Sequence, residues 1–188
     1  MRCLASWLAR TRSSALGLCL SIAITTLLAG CAAPKPSDYA AATPKLDLSR
    51  YFNGKLQAHG IVVDRAGKLL QRFTVDLEGR WQGQEGVLEE HFLYADGRRE
   101  QRTWRLSAGP DGSYRGRAAD VVGEALGQAA GNALNWQYTL RLPVGDQVYD
   151  VQFDDWMFLV DEQVMLNRAV ISKFGLRVGE VLLSFRRL

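Results

Sequence analysis

The sequence has few of the side chains from which catalytic and metal sites are usually built. It holds two histidines, His59 and His91, and three cysteines among 188 residues. Neither a histidine pair with metal-ligand spacing, nor a Gly-x-Ser-x-Gly segment, nor a phosphate-binding glycine loop occurs in it. Glu89 and His91 would share one face of a strand, but no third ligand is evident, so we interpret them as a solvated face. We therefore predict a protein that is not an enzyme and uses no metal or organic cofactor.

An excess of charge of one sign is also missing from most of the chain. The formal net charge is +3, from 23 Lys and Arg against 20 Asp and Glu. The first 30 residues contain three of these bases (Arg2, Arg10 and Arg12) and no acid, which leaves 20 bases against 20 acids in the rest. A balanced chain offers no extended basic surface to a polyanion, so we expect no nucleic-acid partner.

The first 30 residues are typical of an export signal. The arginines precede an uncharged, largely apolar run from Ser13 to Leu28, and Ala29 and Gly30 follow it. A positive region, a short apolar region and small residues at the cut define a secretory signal peptide. The apolar run of about 16 residues is shorter than the roughly 20 that a membrane-spanning helix needs. We predict a signal peptide over residues 1–30.

The cysteine that follows this run indicates a lipid anchor. The segment Leu28–Cys31 resembles a bacterial lipobox, in which Cys31 is acylated and becomes the first mature residue. Cys3 and Cys19 lie in the part expected to be removed, so Cys31 is the only mature cysteine and no internal disulfide is possible. Ala32 rather than Asp follows it, which by resemblance to Gram-negative lipoprotein sorting favours the outer membrane, on its periplasmic face. An ordinary signal peptide with a chance cysteine is the alternative.

The mature chain divides into a tether and one domain. Residues 31–48 are rich in Ala, Pro, Ser and Thr and are predicted to form a flexible tether. Residues 49–188 are predicted to form a single β-rich domain, because apolar and polar side chains alternate with the period of two that is typical of half-buried antiparallel strands. Nine strands are predicted, over residues 51–63, 68–78, 87–95, 99–107, 113–118, 135–142, 147–154, 163–173 and 177–187.

The turns between these segments favour sequential hairpins. Asp96-Gly97, between two alternating segments, is a strong hairpin signal. Long strands in successive hairpins indicate an antiparallel up-and-down barrel or curled sheet of lipocalin-like type, with a β-sandwich as the alternative. A barrel of about eight strands has an interior just wide enough for side chains or one small ligand.

Residues 120–134 break the alternation. Gly123, Gly127 and Gly131 recur every four residues, apolar residues follow a stripe at helical spacing, and Asp120 is a suitable N-cap. We predict one short Gly-rich helix here. Three interior glycines cost such a helix roughly 1 kcal/mol each, so we expect the glycines to form a close-packing face. That face would pack on the sheet, plug a barrel mouth, or contact a membrane or ligand.

Asp154, Asp155 and Trp156 form the densest polar and aromatic cluster. Adjacent carboxylates on a strand point to opposite faces, so they make a poor acid–base pair. Asp155 would point inward and need a partner, for which Arg168, Lys173 or Arg141 is available. The candidate ligand-binding residues are Trp136, Tyr138, Asp155, Trp156, Arg168 and Lys173.

The domain resembles a family of proteobacterial lipoproteins that carry domain of unknown function 3833. The resemblance covers roughly residues 50 to 187. It rests on these segments: Tyr51-Phe52-Asn53-Gly54, Gly79-Arg80-Trp81, Asp120-Val121-Val122-Gly123, Gly127, Gly131-Asn132-Ala133, Phe153-Asp154-Asp155-Trp156-Met157, Asn167-Arg168-Ala169, Lys173-Phe174-Gly175 and Val178-Gly179-Glu180. It implies a lipoprotein and transfers no catalytic residue.

Three functions are compatible with these features. The favoured one is a lipid-anchored, periplasm-facing barrel that binds a lipid or another apolar or amphipathic ligand. The second is a non-catalytic structural or assembly lipoprotein of the envelope, with a solid core, that acts through its surface. The third is an enzyme that uses Asp154, Asp155 or His91. The membrane is the expected partner, through the acyl anchor, and the sequence points to no particular protein partner.

The anchor is tested by the variant Cys31→Ser, which removes the thiol that would accept the acyl chains. We expect the variant to lose acylation by intact mass and to move from the membrane to the soluble periplasmic fraction, because the acyl chains supply the membrane affinity. Cys19→Ser, in the segment expected to be removed, is the control and should keep the wild-type distribution. A Cys31→Ser protein that stays with the membrane would contradict the anchor.

Overall fold

All nine predicted strands form, and a tenth strand joins them. The computed structural model describes residues 33–188, of which Lys35–Leu188 form one compact unit. The strands are β1 (Gly54–Asp64), β2 (Leu69–Gln82), β3 (Glu85–Tyr94), β4 (Arg99–Ala108), β5 (Ser113–Arg117), β6 (Ala125–Ala130), β7 (Ala133–Val144), β8 (Gln147–Leu159), β9 (Val164–Lys173) and β10 (Leu176–Arg187). Among residues 33–188, helical structure is limited to α1 (Leu48–Tyr51) and 3₁₀ turns at Pro36–Tyr39 and Pro110–Gly112. Within residues 33–188 no helix is long and apolar enough to cross a bilayer.

The sheet closes on itself as an up-and-down barrel. Each strand pairs antiparallel with the next along the chain, and β10 returns to pair with β1, with Leu56 opposite Arg187. The predicted antiparallel barrel is confirmed, and the β-sandwich alternative is wrong. Inward side chains form the core, in which Leu56, Val75, Leu134 and Met165 are almost fully buried. Each buried side chain of this size contributes about 1.5–3 kcal/mol to stability.

The two ends of the barrel differ. The hairpin turns at 64–69, 94–99, 144–147 and 173–176 lie at one end, which we call the open end. At the other, closed end, α1 and the residue after it place Leu48, Tyr51 and Phe52 in the core. Asp47 caps α1 by accepting a 2.8 Å hydrogen bond from the Ser49 backbone N–H. The segment that precedes β1 therefore acts as a plug.

The segment predicted as a tether over 31–48 differs from the expectation. From Lys35 onward it packs against the barrel: the Tyr39 ring lies 5.8 Å from the Trp156 ring and 5.2 Å from the Phe158 ring, centroid to centroid. The Leu46 backbone N–H donates to the Gly131 carbonyl at 2.8 Å. A few apolar side chains hold this small-residue segment in place, which its composition does not reveal. The predicted signal peptide and Cys31 lie outside the described residues.

The Gly-rich helix predicted within 120–134 is wrong, because Ala125–Ala130 form β6. The three glycines share no face. A Cβ on Gly127 would lie 2.3 Å from the Trp136 ring, and one on Gly131 would lie 1.7 Å from the Tyr39 carbonyl oxygen. A Cβ on Gly123 would meet open space. Gly127 and Gly131 therefore allow close approach separately, at a strand and at a turn.

The reason for this error lies in the small side chains of β6. Ala125, Gly127 and Ala129 face the barrel interior, whereas Leu126 and Gln128 are exposed. Alanine and glycine carry too little hydrophobic contrast for this period of two to stand out in the sequence. Small inward residues are needed because the Trp136 indole lies across this part of the wall.

The packing of β6 on Trp136 is tested by Gly127→Val. On strand propensity alone valine would stabilise the protein. Because its Cβ would overlap the Trp136 ring, we expect the free energy of unfolding in urea to fall by about 1–3 kcal/mol. The control Leu126→Val changes the exposed neighbour and should stay within about 0.5 kcal/mol of wild type. A Gly127→Val protein as stable as wild type would argue against this packing.

Candidate ligand-binding site

The barrel encloses a cavity of about 840 Å³. Leu48 and Phe52 line it at the closed end, and Arg98 and Arg141 line it at the open end. Ligand pockets in proteins usually measure about 300–1,000 Å³. The volume and the open end together suit a small molecule rather than a filled core.

Aromatic rings line the cavity in two groups. On β4, β7 and β8, the Trp104 and Trp136 rings meet edge to face at 5.8 Å, and Tyr138 stacks on Phe153 at 5.0 Å. A second group lies on β2 and β3, the strands that follow β4 around the barrel, and consists of Phe73, Phe92 and Tyr94. Such walls offer large apolar contact area to a ligand.

A buried charge cluster interrupts these apolar walls. Arg102 on β4 donates from Nε and Nη2 to Asp120 Oδ2 at 2.9 and 2.7 Å. Its Nη1 lies 3.8 Å from Glu90 Oε2, which is an ion pair but too long for a hydrogen bond. Burial alone would lower the pKa of Arg102, but the charges of Glu90 and Asp120 outweigh it and keep the pKa above its usual value. Arg102 is therefore charged and bound mainly by Asp120.

The Arg102–Asp120 pair also bridges a gap in the barrel wall. On β4, the short strand β5 reaches only residues 105–108. Among the described residues, residues 99–104 of β4 therefore pair with β3 on one side and have no backbone partner on the side of β5. The segment after β5 pairs with β7 instead, where the Arg141 backbone N–H donates to the Asp120 carbonyl at 2.8 Å. The guanidinium–carboxylate pair thus joins β4 to this segment where backbone hydrogen bonds do not.

Two carboxyl groups in the cavity are not fully paired. Glu90 Oε2 and Asp155 Oδ1 are buried and have no hydrogen-bond partner among residues 33–188. Burial raises the pKa of Glu90 to about 7, although Arg102 opposes the shift. Burial also raises the pKa of Asp155 to about 8, and the nearby charge of Asp154 adds to it. Desolvation likewise holds the pKa of Tyr138, beside Asp155, well above its usual range.

Three of the six predicted ligand-binding residues line the cavity. Trp136, Tyr138 and Asp155 face inward, as their strand parity requires. Asp154 points outward, where it accepts hydrogen bonds from the side chains of Asn135 and Gln137. The adjacent carboxylates thus lie on opposite faces, as predicted.

The other three predicted ligand-binding residues lie elsewhere. Trp156 faces outward against the Tyr39 ring, and Arg168, its cross-strand neighbour, is paired with Glu180 on the outer face. Lys173, at the open end of β9, donates to the Asp150 carbonyl at 2.6 Å. Because Arg168 and Lys173 do not enter the cavity, neither is the partner predicted for Asp155.

The charge cluster on β3 and β4 was not predicted from the sequence. Glu90 and Arg102 have the same strand parity as the inward residues Leu88 and Trp104, so the alternation itself carried the signal. Asp120 was expected to cap a helix that does not form. His91 is exposed on the outer face, and no group of three or more His, Cys, Asp or Glu within the described range is arranged to hold a metal ion.

The rim of the open end is rich in exposed apolar side chains. These are Leu69, Leu70, Val144, Val148, Phe174, Leu176 and Val178, all within or beside its hairpin turns. Phe174 is 89% exposed and adopts φ of +50°, a left-handed conformation that non-glycine residues rarely take. An apolar or amphipathic molecule that approaches the mouth therefore has apolar side chains to contact there.

These features define a closed ten-stranded antiparallel barrel with a partly polar internal cavity. The chain belongs to the DUF3833 family of proteins of unknown function, whose profile matches residues 25–187. A solved structure described as a de novo designed fluorescence-activating beta barrel is similar at 14% identity and a TM-score of 0.39, over 76% of this chain and 99% of that one. No curated protein matches the chain significantly.

The buried carboxyl of Asp155 predicts a specific pH dependence of stability. Its pKa is about 8 in the folded protein, against about 3.9 for an ordinary Asp in an unfolded chain. Between these two pH values the folded state binds the proton of Asp155 more tightly than the unfolded state does. The contribution of Asp155 to the free energy of unfolding therefore falls as the pH rises, and it becomes constant above the folded pKa. In Asp155→Asn, the free energy of unfolding relative to wild type should therefore increase from about pH 4 to about pH 8.

Urea unfolding of both proteins at a series of pH values measures this difference. The control is Asp150→Asn on the same strand, where the side chain is exposed, so the difference should show no such increase. A difference for Asp155→Asn that stays constant across the range would show that its carboxyl is not buried in a protonated form.

Proposed function

We propose that this protein is a non-catalytic binding protein that holds an apolar or amphipathic ligand inside its barrel. The observation that carries the proposal is the cavity of about 840 Å³ with aromatic walls and a small buried polar cluster. An apolar pocket with a few polar groups that orient the ligand is the usual form of a small-molecule site.

Energetic considerations favour a ligand with a long chain or a large ring system. Each buried methylene contributes about 0.8 kcal/mol. Association costs an estimated 4–15 kcal/mol in lost freedom, so burial of roughly 5 to 19 methylenes is needed to offset it. The polar cluster, placed among the aromatic walls, suits an amphipathic molecule whose head group reaches the interior.

The alternatives have less support. A structural or assembly lipoprotein was expected to have a solid core, whereas this barrel contains a cavity. An enzyme that uses Asp154, Asp155 or His91 would have only Asp155 in the cavity, because Asp154 and His91 lie on the outer face. Binding accounts for the cavity without assigning any of the three a reaction.

We also propose that the barrel is anchored by acylated Cys31 to the outer membrane, on its periplasmic face. The proposal rests on the sequence: the segment Leu28–Cys31 resembles a lipobox and Ala32 follows it. Packed structure begins at Lys35, so we propose that the tether is much shorter than residues 31–48. A ligand-binding barrel held close to a membrane has access to amphipathic molecules released from that membrane.

Binding is tested by filling the cavity with Ala169→Phe. Ala169 is buried and lines the cavity, so a phenyl ring there removes ligand volume. The Cys31→Ser background permits work without detergent, and phenylnaphthylamine fluorescence reports binding of an apolar probe. We expect Ala169→Phe to weaken probe binding at least tenfold, or about 1.4 kcal/mol, with the far-ultraviolet circular dichroism of a β-barrel retained.

The matched control is Val170→Phe, which places the same ring one residue along β9, facing outward. It should bind the probe like wild type. Equal binding by both variants would place the probe outside the barrel and contradict the proposal, as would a wild-type protein that binds no probe.

A further inference from the structure

We infer that the cavity selects amphiphiles with a protonated amine head group, which pairs with Glu90 and Asp155. The inference rests on the proposed function and specifies its ligand class. It is carried by the charge balance of the cluster, by the two carboxyl oxygens without partners and by the aromatic walls around them.

The charge balance of the cluster leaves room for one more cation. Its charged side chains are one base, Arg102, and three acids, Glu90, Asp120 and Asp155. Arg102 directs two of its nitrogens to Asp120 and only approaches Glu90, at 3.8 Å. The cluster thus has one base for three acids, and it carries an excess of negative charge when all of them are ionised.

The unpartnered atoms specify the missing chemistry as a hydrogen-bond donor. Glu90 Oε2 and Asp155 Oδ1 are buried without a donor among residues 33–188. An ionised carboxylate accepts only, and leaving it unpaired in a buried site costs several kcal/mol or shifts its pKa until it is protonated. An ammonium group offers three N–H donors and a positive charge, so it supplies both the missing hydrogen-bond donors and the missing cation.

The aromatic walls also suit a cation. Arg102 already lies over the Phe92 ring, 5.5 Å from its centroid, and Trp104, Trp136 and Tyr138 line the same cavity. A cation within about 6 Å of a ring face gains about 0.5–2 kcal/mol, the most when it is desolvated. Rings and carboxylates in one pocket favour an alkylammonium over a neutral head group of the same size.

An anionic head group fits this cluster poorly. Within the cluster its natural partner would be Arg102, whose Nε and Nη2 are already engaged by Asp120. The other bases that line the cavity lie at the open end and are Arg98 and Arg141. An anion would have to displace Asp120, which also holds the wall segment to β4, and would then face Glu90 and Asp155 as well. Like charges in a desolvated site repel strongly, so the cluster discriminates against carboxylates.

Binding of an ammonium should be coupled to proton release. The groups that face Glu90 and Asp155 are Arg102, Asp120 and Tyr138, with Asp154 behind the wall. Because burial raises the pKa values of Glu90 and Asp155 to about 7 and about 8, an ammonium that pairs with the ionised forms must displace their protons. Affinity should therefore rise between about pH 6 and about pH 8.5 and then level off.

The test compares three amphiphiles with the same twelve-carbon chain: dodecylammonium, dodecanol and dodecanoate. Each competes with phenylnaphthylamine for the Cys31→Ser protein at about pH 8, where dodecylammonium is charged and the buried carboxyls are largely able to ionise. We expect dodecylammonium to bind at least tenfold more tightly than dodecanol, and dodecanoate to bind most weakly.

Two double variants locate the selectivity. Glu90→Gln with Asp155→Asn removes both inward charges at nearly constant volume and should abolish the preference for dodecylammonium and its pH dependence, while dodecanol affinity changes little. Glu89→Gln with Asp150→Asn makes the same changes on the outer faces of the same two strands. Because neither Glu89 nor Asp150 lines the cavity, this control should keep the wild-type preference.

The outcomes separate this inference from the proposed function. Probe binding without a preference for dodecylammonium, or with a preference for dodecanol or dodecanoate, would overturn the inference and leave the binding function intact. The inference is also overturned, and the binding function again left intact, if the probe binds but none of the three amphiphiles displaces it. Failure of the probe itself to bind would overturn both. A preference that survives in the inward double variant would place the head group elsewhere and also overturn the inference.

Discussion

The pair between Arg102 and Asp120 is the interaction on which both the barrel and its cavity depend. Backbone pairing between β4 and β5 stops at residue 105, and beyond it this side-chain pair joins the two parts of the wall. Removing one partner would leave a partly buried charge without its counterion, which destabilises the protein less than the loss of a partner from a fully buried pair. The same pair occupies Arg102, the only base of the cluster. Because Arg102 is bound to Asp120 in the wall, it does not form hydrogen bonds with Glu90 or Asp155.

The remaining features of the molecule follow from this closed wall. Among the described residues, the plug before β1 packs into one end of the barrel, and the exposed apolar hairpins surround the other, open end. Small residues on β5 and β6, such as Gly116 and Gly127, let Trp136 lie flat against the wall, which keeps the centre of the barrel from being filled. A cavity is therefore a consequence of where the chain places its smallest side chains.

Much of this fold could be predicted from the alternation of large apolar and polar residues. The prediction failed where that contrast is weak. The inward residues of β6 are Ala and Gly, and the glycines of this region recur every four residues, as on one face of a helix. For the site, parity was sufficient to place Tyr138 and Asp155 inside. The same parity places Trp156, the immediate neighbour of Asp155, outside the cavity, although it was among the predicted ligand-binding residues, and it places Glu90, which was not among them, inside. The wall gap and the plug depend on contacts between distant segments, which a single sequence does not encode in any local pattern.

The central claim is that the barrel carries a ligand, and mass spectrometry tests it most directly. Wild-type protein would be purified from its native envelope without exchange into detergent above micellar concentration, and an organic extract of it compared with one of the Ala169→Phe variant. We expect an amphipathic molecule in near-stoichiometric amount from wild type and its loss from the variant. Extracts that contain no such molecule, or contain it equally in both proteins, would contradict the claim.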